Sequence, residues 1–155
     1  MNAEQIHLVQ STFALVRPIS LAAGELFYSR LFILDPSLRP MFKGDLVHQS
    51  RMLMVMLDSA VTSLNDLDGL VPVVRQLGAR HARYGVLKKH YDTVGSALLW
   101  TLEQGLGDAF TPAACEAWAT AYELLASVMQ MGAIEAQSRY VANSSDAVPS
   151  VQEQH

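Results

Sequence analysis

Apolar residues along this chain return at helical intervals, and no sustained run alternates apolar with polar positions. Ile6, Val9, Phe13 and Val16 share one face of a helix expected over residues 3–16. Pro18 interrupts that helix or begins the next, which is expected to run to about Leu34 with Ala22, Leu26, Phe27 and Leu31 at helical spacing. Asp35-Pro36 joins a capping acid to a proline at a first helical position, and opens a short helix ending near Phe42. After the turn Lys43-Gly44-Asp45 the spacing resumes from Leu46 to Leu64, with Gln49, Leu53, Met56 and Ala60 on one stripe. Residues 65–69 read as a loop, 70–83 as a helix regular after Pro72, and Tyr84-Gly85-Val86 as a break. Helices over 90–106 and from Thr111-Pro112 to about Gln137 complete the series. Residues 138–155, rich in Ser, Asn, Val and Gln, show little periodicity and are expected to be a disordered tail. The pattern predicts an all-α fold of about seven helices in one domain over residues 1–137.

Composition narrows the class. The chain has 155 residues, half of them hydrophobic and 17% charged, which is globular rather than disordered. A net charge of -4 offers no basic face for nucleic acid. Cys115 is the one cysteine, so no internal disulfide forms, as suits a reducing cytoplasm. The first residues lack a basic patch followed by an apolar run, and no stretch holds the roughly 18 uninterrupted apolar residues of a spanning helix. A cytoplasmic protein without a membrane segment is therefore expected. The methionines of the third long helix, Met52, Met54 and Met56, read as flexible core filling.

Candidate chemistry is sparse. His7, His48, His81, His90 and His155 form no tight metal-binding pair, and no phosphate loop, nucleophile elbow or dinucleotide fingerprint is present. A cofactor would have to supply any difficult chemistry.

One segment is specific. Gly78-Ala79-Arg80-His81-Ala82-Arg83-Tyr84-Gly85-Val86, with Tyr91 ten residues after the histidine, resembles the proximal side of bacterial haemoglobins, including the globin moiety of flavohaemoglobins. Leu26-Phe27-Tyr28, Asp35-Pro36 with Phe42, Gln49-Ser50-Arg51-Met52-Leu53 and Ala117-Trp118-Ala119-Thr120-Ala121-Tyr122 fall in the family's order and at its intervals, over roughly residues 4–137.

The resemblance implies a globin fold around one haem b, with His81 as iron ligand. The Leu77 carbonyl, one turn back, is a local acceptor for the second ring nitrogen. It implies that Tyr91 and Glu135 form a hydrogen-bonded group with His81, giving the imidazole more electron-donating character. Tyr28, Gln49 and Leu53 are expected over the iron, where a phenol and an amide can donate to a bound gas. A shift of one residue would put His48 in the place of Gln49, but the interval from Phe42 favours Gln49. Phe42 is expected to stack on the macrocycle, Leu77, Val86, Val94 and Leu98 to wall it, and Arg80, Arg83 and Tyr84 to meet its carboxylates. For each of these side chains ordinary core packing or surface solvation stands as the alternative.

Three functions follow. The chain stores or delivers oxygen, binding nitric oxide and carbon monoxide as well. Or it is a nitric oxide dioxygenase, with weak peroxidase activity as a variant, and needs a separate flavin reductase. Or it is a gas sensor, although 18 residues after the globin segment are few for an output domain. Monomer and homodimer are both open.

Overall fold

The computed structural model describes the backbone of residues 1–153 and the side chains of residues 1–142. Among these residues there is no strand. Six α-helices follow one another: α1 (Ala3–Val16), α2 (Ser20–Leu34), α3 (Leu46–Thr62), α4 (Leu67–Arg83), α5 (Lys88–Leu106) and α6 (Pro112–Glu153). The expected seventh is a 3₁₀ helix, Pro36–Met41, capped by Asp35.

Local chemistry explains the starts. Asn2 accepts from the Gln5 amide while Gln5 reaches back to the Asn2 amide, a reciprocal cap that opens α1. Asp45 caps α3 through the Val47 amide. Pro18 does not separate α1 from α2 by a loop, because a 3₁₀ turn, Arg17–Ile19, joins them. The run Ala3–Leu34 is long and apolar enough by length and composition to cross a membrane. In this fold both of its halves supply core residues: Val9, Phe13, Val16, Phe27 and Leu31 are buried.

Three boundaries differ from expectation. The loop over 65–69 shrinks to its first residues, since Asp66 accepts from the Gly69 amide at 3.3 Å and α4 starts at Leu67. Pro72 then sits inside α4, at the cost of one helical hydrogen bond. The last helix does not end near Gln137 but continues to Glu153. No glycine or proline intervenes between Gly132 and Pro149, so nothing in the sequence stops the helix there, and residues 138–142 are exposed. Part of the expected disordered tail is therefore helical, and residues 154–155 lie outside the described residues. Of the α3 methionines only Met54 is buried, while Met52 and Met56 stay exposed.

The core gathers around Trp118, Phe13, Leu31, Leu64 and Val9, all fully buried. The Trp118 indole donates to the Thr12 hydroxyl at 2.9 Å, and that hydroxyl donates to the Leu8 carbonyl, tying α6 to α1. α2 packs on α3 and α5, and α4 lies along α6. α3 and α4 make little or no direct contact among the described residues. Most candidate site residues fall on α2, α3, α4 and α5, with Phe42 closing the 3₁₀ helix, Tyr84 and Val86 between α4 and α5, and Glu135 on α6.

Candidate functional site

α4 is held by two glycines. A Cβ on Gly78 would stand 1.9 Å from the Met129 carbonyl oxygen, and one on Gly132 would stand 1.9 Å from the Arg75 carbonyl oxygen. Only hydrogen side chains allow α4 and α6 to approach backbone to backbone. The pairs 78 with 129 and 75 with 132 run in opposite directions along the two helices.

His81 follows Gly78 by one turn, and the end of α4 fixes it. The Gly85 amide donates to the Ala82 carbonyl and the Val86 amide to the His81 carbonyl, both at 3.1 Å. With Gly85 at φ +87°, this is a Schellman motif whose innermost residue is His81. Gly85→Ala is expected to destabilise the protein by about 1–2 kcal/mol, the cost of a left-handed L-residue, as read by urea denaturation; an unchanged midpoint would show that the corner does not need glycine.

The His81 ring is half-buried, and its Nδ1 lies 2.8 Å from the Leu77 carbonyl. A carbonyl only accepts, so Nδ1 carries the hydrogen and Nε2 keeps a free lone pair. Burial holds the imidazolium below the usual histidine range; Arg80 acts in the same direction and the Leu77 carbonyl opposes it. The ring is thus a neutral imidazole with one nitrogen anchored and the other available, the form in which histidine ligates a metal.

Tyr91 is buried, and burial raises its phenol above the usual range. Its backbone carbonyl accepts from the Tyr122 hydroxyl at 2.5 Å, and the Tyr122 ring edge lies where a Cβ on Gly95 would be. Glu135 does not join them. Its carboxylate lies 3.7 Å from Arg75 Nε, beyond Gly132 in the direction that leads away from His81. Extending the antiparallel register puts His81 level with Ala126, so Glu135 lies about 14 Å further along α6 at about 1.5 Å per residue. The expected group of His81, Tyr91 and Glu135 is therefore not formed, and the ring nitrogen meets a neutral backbone carbonyl instead.

On the other side, α2 crosses α3 at Gly24, where a Cβ would stand 2.8 Å from the Ser50 Cβ and 2.9 Å from its carbonyl oxygen. Tyr28 is one turn beyond this crossing on α2, and Gln49 is next to it on α3. Tyr28 is buried, which pushes its phenol up to about 12, so it stays a neutral donor at pH 7. Its ring packs edge-on against Phe42 at 5.2 Å between centroids, and Phe32 meets both rings, at 6.0 Å from Tyr28 and 5.6 Å from Phe42. Gln49 is half-buried while His48 is exposed, the difference expected from about 100° of helix rotation per residue.

Leu53, Leu77, Val86 and Val94 are half-buried and Leu98 is buried. Leu53 and Leu98 line an apolar cavity of about 20 Å³, and Leu98 with Trp118 lines a second of about 30 Å³. Arg80, Arg83 and Tyr84 are exposed. Among the described residues no three His, Cys, Asp or Glu groups converge on a metal ion. One neutral imidazole beside apolar and aromatic side chains fits a macrocycle-held iron better than a bare cation.

Four features were not read from the sequence: Phe32, Leu57 (which lines both cavities), the paired glycines of α4 and α6, and His90. The buried His90 ring accepts from the Leu87 amide at 2.8 Å and helps cap α5. Phe32 had a signal, since it follows Tyr28 by four residues; the glycine pairs had none.

Comparison with known proteins gives consistent results. The globin family model matches residues 25–129. Neuroglobin of Danio rerio is 34% identical over 124 residues, covering 70% of this chain and 77% of that protein. The flavohemoprotein of Vibrio cholerae is 31% identical over 133 residues, covering 83% of this chain but only 33% of its own length. A solved engineered carbene transferase, built on a Rhodothermus marinus protein named for nitric oxide dioxygenase, superposes with a TM-score of 0.78 at 25% identity, covering 93% of this chain and 99% of that one.

Proposed function

This chain belongs to the globin family, and we propose that it holds one haem b through His81 and binds oxygen reversibly, with nitric oxide and carbon monoxide as further ligands. The observation that carries this reading is the His81 ring, anchored at Nδ1 by the Leu77 carbonyl with Nε2 free. Haem, when bound, would supply an iron able to take a diatomic gas, with His81 as the residue that would hold it.

The chain's own residues set how tightly the gas is held. Tyr28 is a neutral phenol kept in place by Phe27, Phe32 and Phe42. It would donate a hydrogen bond to the ligand, Gln49 would supply a second donor, and Leu53 would restrict access. Phe42 would pack on the macrocycle, and Leu77, Val86, Val94 and Leu98 would wall it. Tyr28→Phe is expected to release oxygen about tenfold faster, the loss of one hydrogen bond of about 1–1.5 kcal/mol. Stopped-flow oxygen dissociation measures it, and an unchanged rate would remove Tyr28 from the ligand site.

The proximal side favours reversible binding over peroxidase chemistry, because Nδ1 meets a neutral carbonyl while the Glu135 carboxylate lies beside Arg75 rather than at the ring. A second reading, nitric oxide dioxygenase, draws support from the likeness to the Rhodothermus marinus structure. That reaction joins nitric oxide, oxygen and one electron into nitrate. A separate flavin reductase would supply the electron. We place the protein in the cytoplasm on its lone cysteine.

A further inference from the structure

We propose that the corner joining α4 to α5, residues 80–89, is a docking surface for an acidic flavoprotein, the donor class that the second reading above requires and on which this inference rests. The charge distribution is lopsided. From Gly69 to Tyr91 the sequence holds five of its 11 Lys and Arg and none of its 15 Asp and Glu, in a chain of net charge -4. Arg80, Arg83, Lys88 and Lys89 are exposed, and none is ion-paired among the described residues; since Arg80 and Arg83 are also expected to meet the haem carboxylates, Lys88 and Lys89 are the pair left wholly to a partner.

The fold itself does not favour all of these charges. Arg80 and Arg83 suit the negative end of α4, but Lys88 and Lys89 open α5, where the partial charge of a helix start is positive. No acid in the first turn of α5 offsets them; the next acid, exposed Asp92, follows one turn after Lys88 and makes no ion pair with either lysine. Asp35 feels Lys89 at longer range, but its carboxylate is already taken by the Ser37 hydroxyl and amide.

The patch also has an apolar centre. Tyr84 is 73% exposed and Leu87 55%, both between the two cationic pairs. Exposed aromatic and aliphatic side chains inside a charged rim are the anatomy of a protein–protein interface. The backbone beneath is preorganised, because all four amides of residues 84–87 are bonded, three to the last turn of α4 and one to the His90 ring. A patch this compact, on a chain otherwise rich in acids, matches one face of an acidic protein better than the long uniform charge of nucleic acid or a lipid surface.

Flavodoxin, an acidic flavoprotein, is the probe. Haem loading is checked first from the absorption spectrum, so a failure of the haem reading is told apart from a failure of docking. The haem-loaded, ¹⁵N-labelled protein in its carbon monoxide form is then titrated with flavodoxin at low salt and at high salt. Amide shifts confined to residues 80–89 and lost at high salt are expected. The K88E/K89E variant should keep its haem spectrum and bind at least about tenfold more weakly. Absence of shifts at this corner would overturn the proposal. So would shifts there with anionic phosphatidylglycerol vesicles or duplex DNA in place of flavodoxin.

Discussion

His81→Gly is expected to lose the five-coordinate ferrous spectrum, to bind haem more than about a hundredfold more weakly, and to recover the spectrum when imidazole is added to the buffer. The expectation follows from the division of labour in the ring. Nδ1 is committed to the Leu77 carbonyl, so Nε2 is the nitrogen that can reach a metal. Glycine removes both contacts and leaves a space of imidazole shape, which a free imidazole can enter. A merely structural His81 would behave differently: its loss would lower stability, and added imidazole would not restore the spectrum. Haem titration with and without imidazole, followed by absorption, separates the two.

Gly78→Val is expected to cost about 3 kcal/mol or more in stability and to disturb haem ligation in what remains folded. A Cβ at Gly78 would fall 1.9 Å from the Met129 carbonyl oxygen, and the neighbouring Cα and carbonyl carbon are also within 2.5 Å. Backbone cannot rotate out of the way as a long side chain does, so α4 has to move off α6. The movement displaces His81, one turn further along α4. Urea denaturation gives the stability change, and the ferrous spectrum reports the histidine. A variant with wild-type stability would mean that the two helices have slack at this point.

Much of the fold is legible in local patterns because its determinants are local. Asn2, Asp35, Asp45 and Thr111 start helices through bonds to amides two or three residues away, and a sequence displays those pairs directly. Asp66 belongs with them, but Gly69 in the same string reads as a loop former, so the pattern puts the start of α4 three residues later than the structure does. The candidate site was legible where its chemistry is local too: Leu77 sits one turn before His81, and Gly85 marks the break that pins it.

What stayed hidden depends on the register between helices. The family resemblance groups Glu135 with His81 and Tyr91, yet intervals along one helix say nothing about which residue of another lies opposite. That register is set by Gly78 against Met129 and Gly132 against Arg75, and it delivers Glu135 to Arg75 instead. The crossing of Gly24 on Ser50, which sets the approach of α2 to α3 near Tyr28 and Gln49, is hidden for the same reason. Glycines that serve close approach are indistinguishable in sequence from glycines that serve turns.

The central claim, one haem held by His81 with an open position for a gas, is tested most directly by the absorption spectrum of the haem-loaded wild-type protein, taken ferric, then reduced, then exposed to oxygen. The account predicts uptake of one haem per chain, a five-coordinate ferrous spectrum, and its conversion to a stable oxygenated form. Failure to take up haem stoichiometrically, or a ferrous spectrum already six-coordinate and unchanged by oxygen, would contradict it.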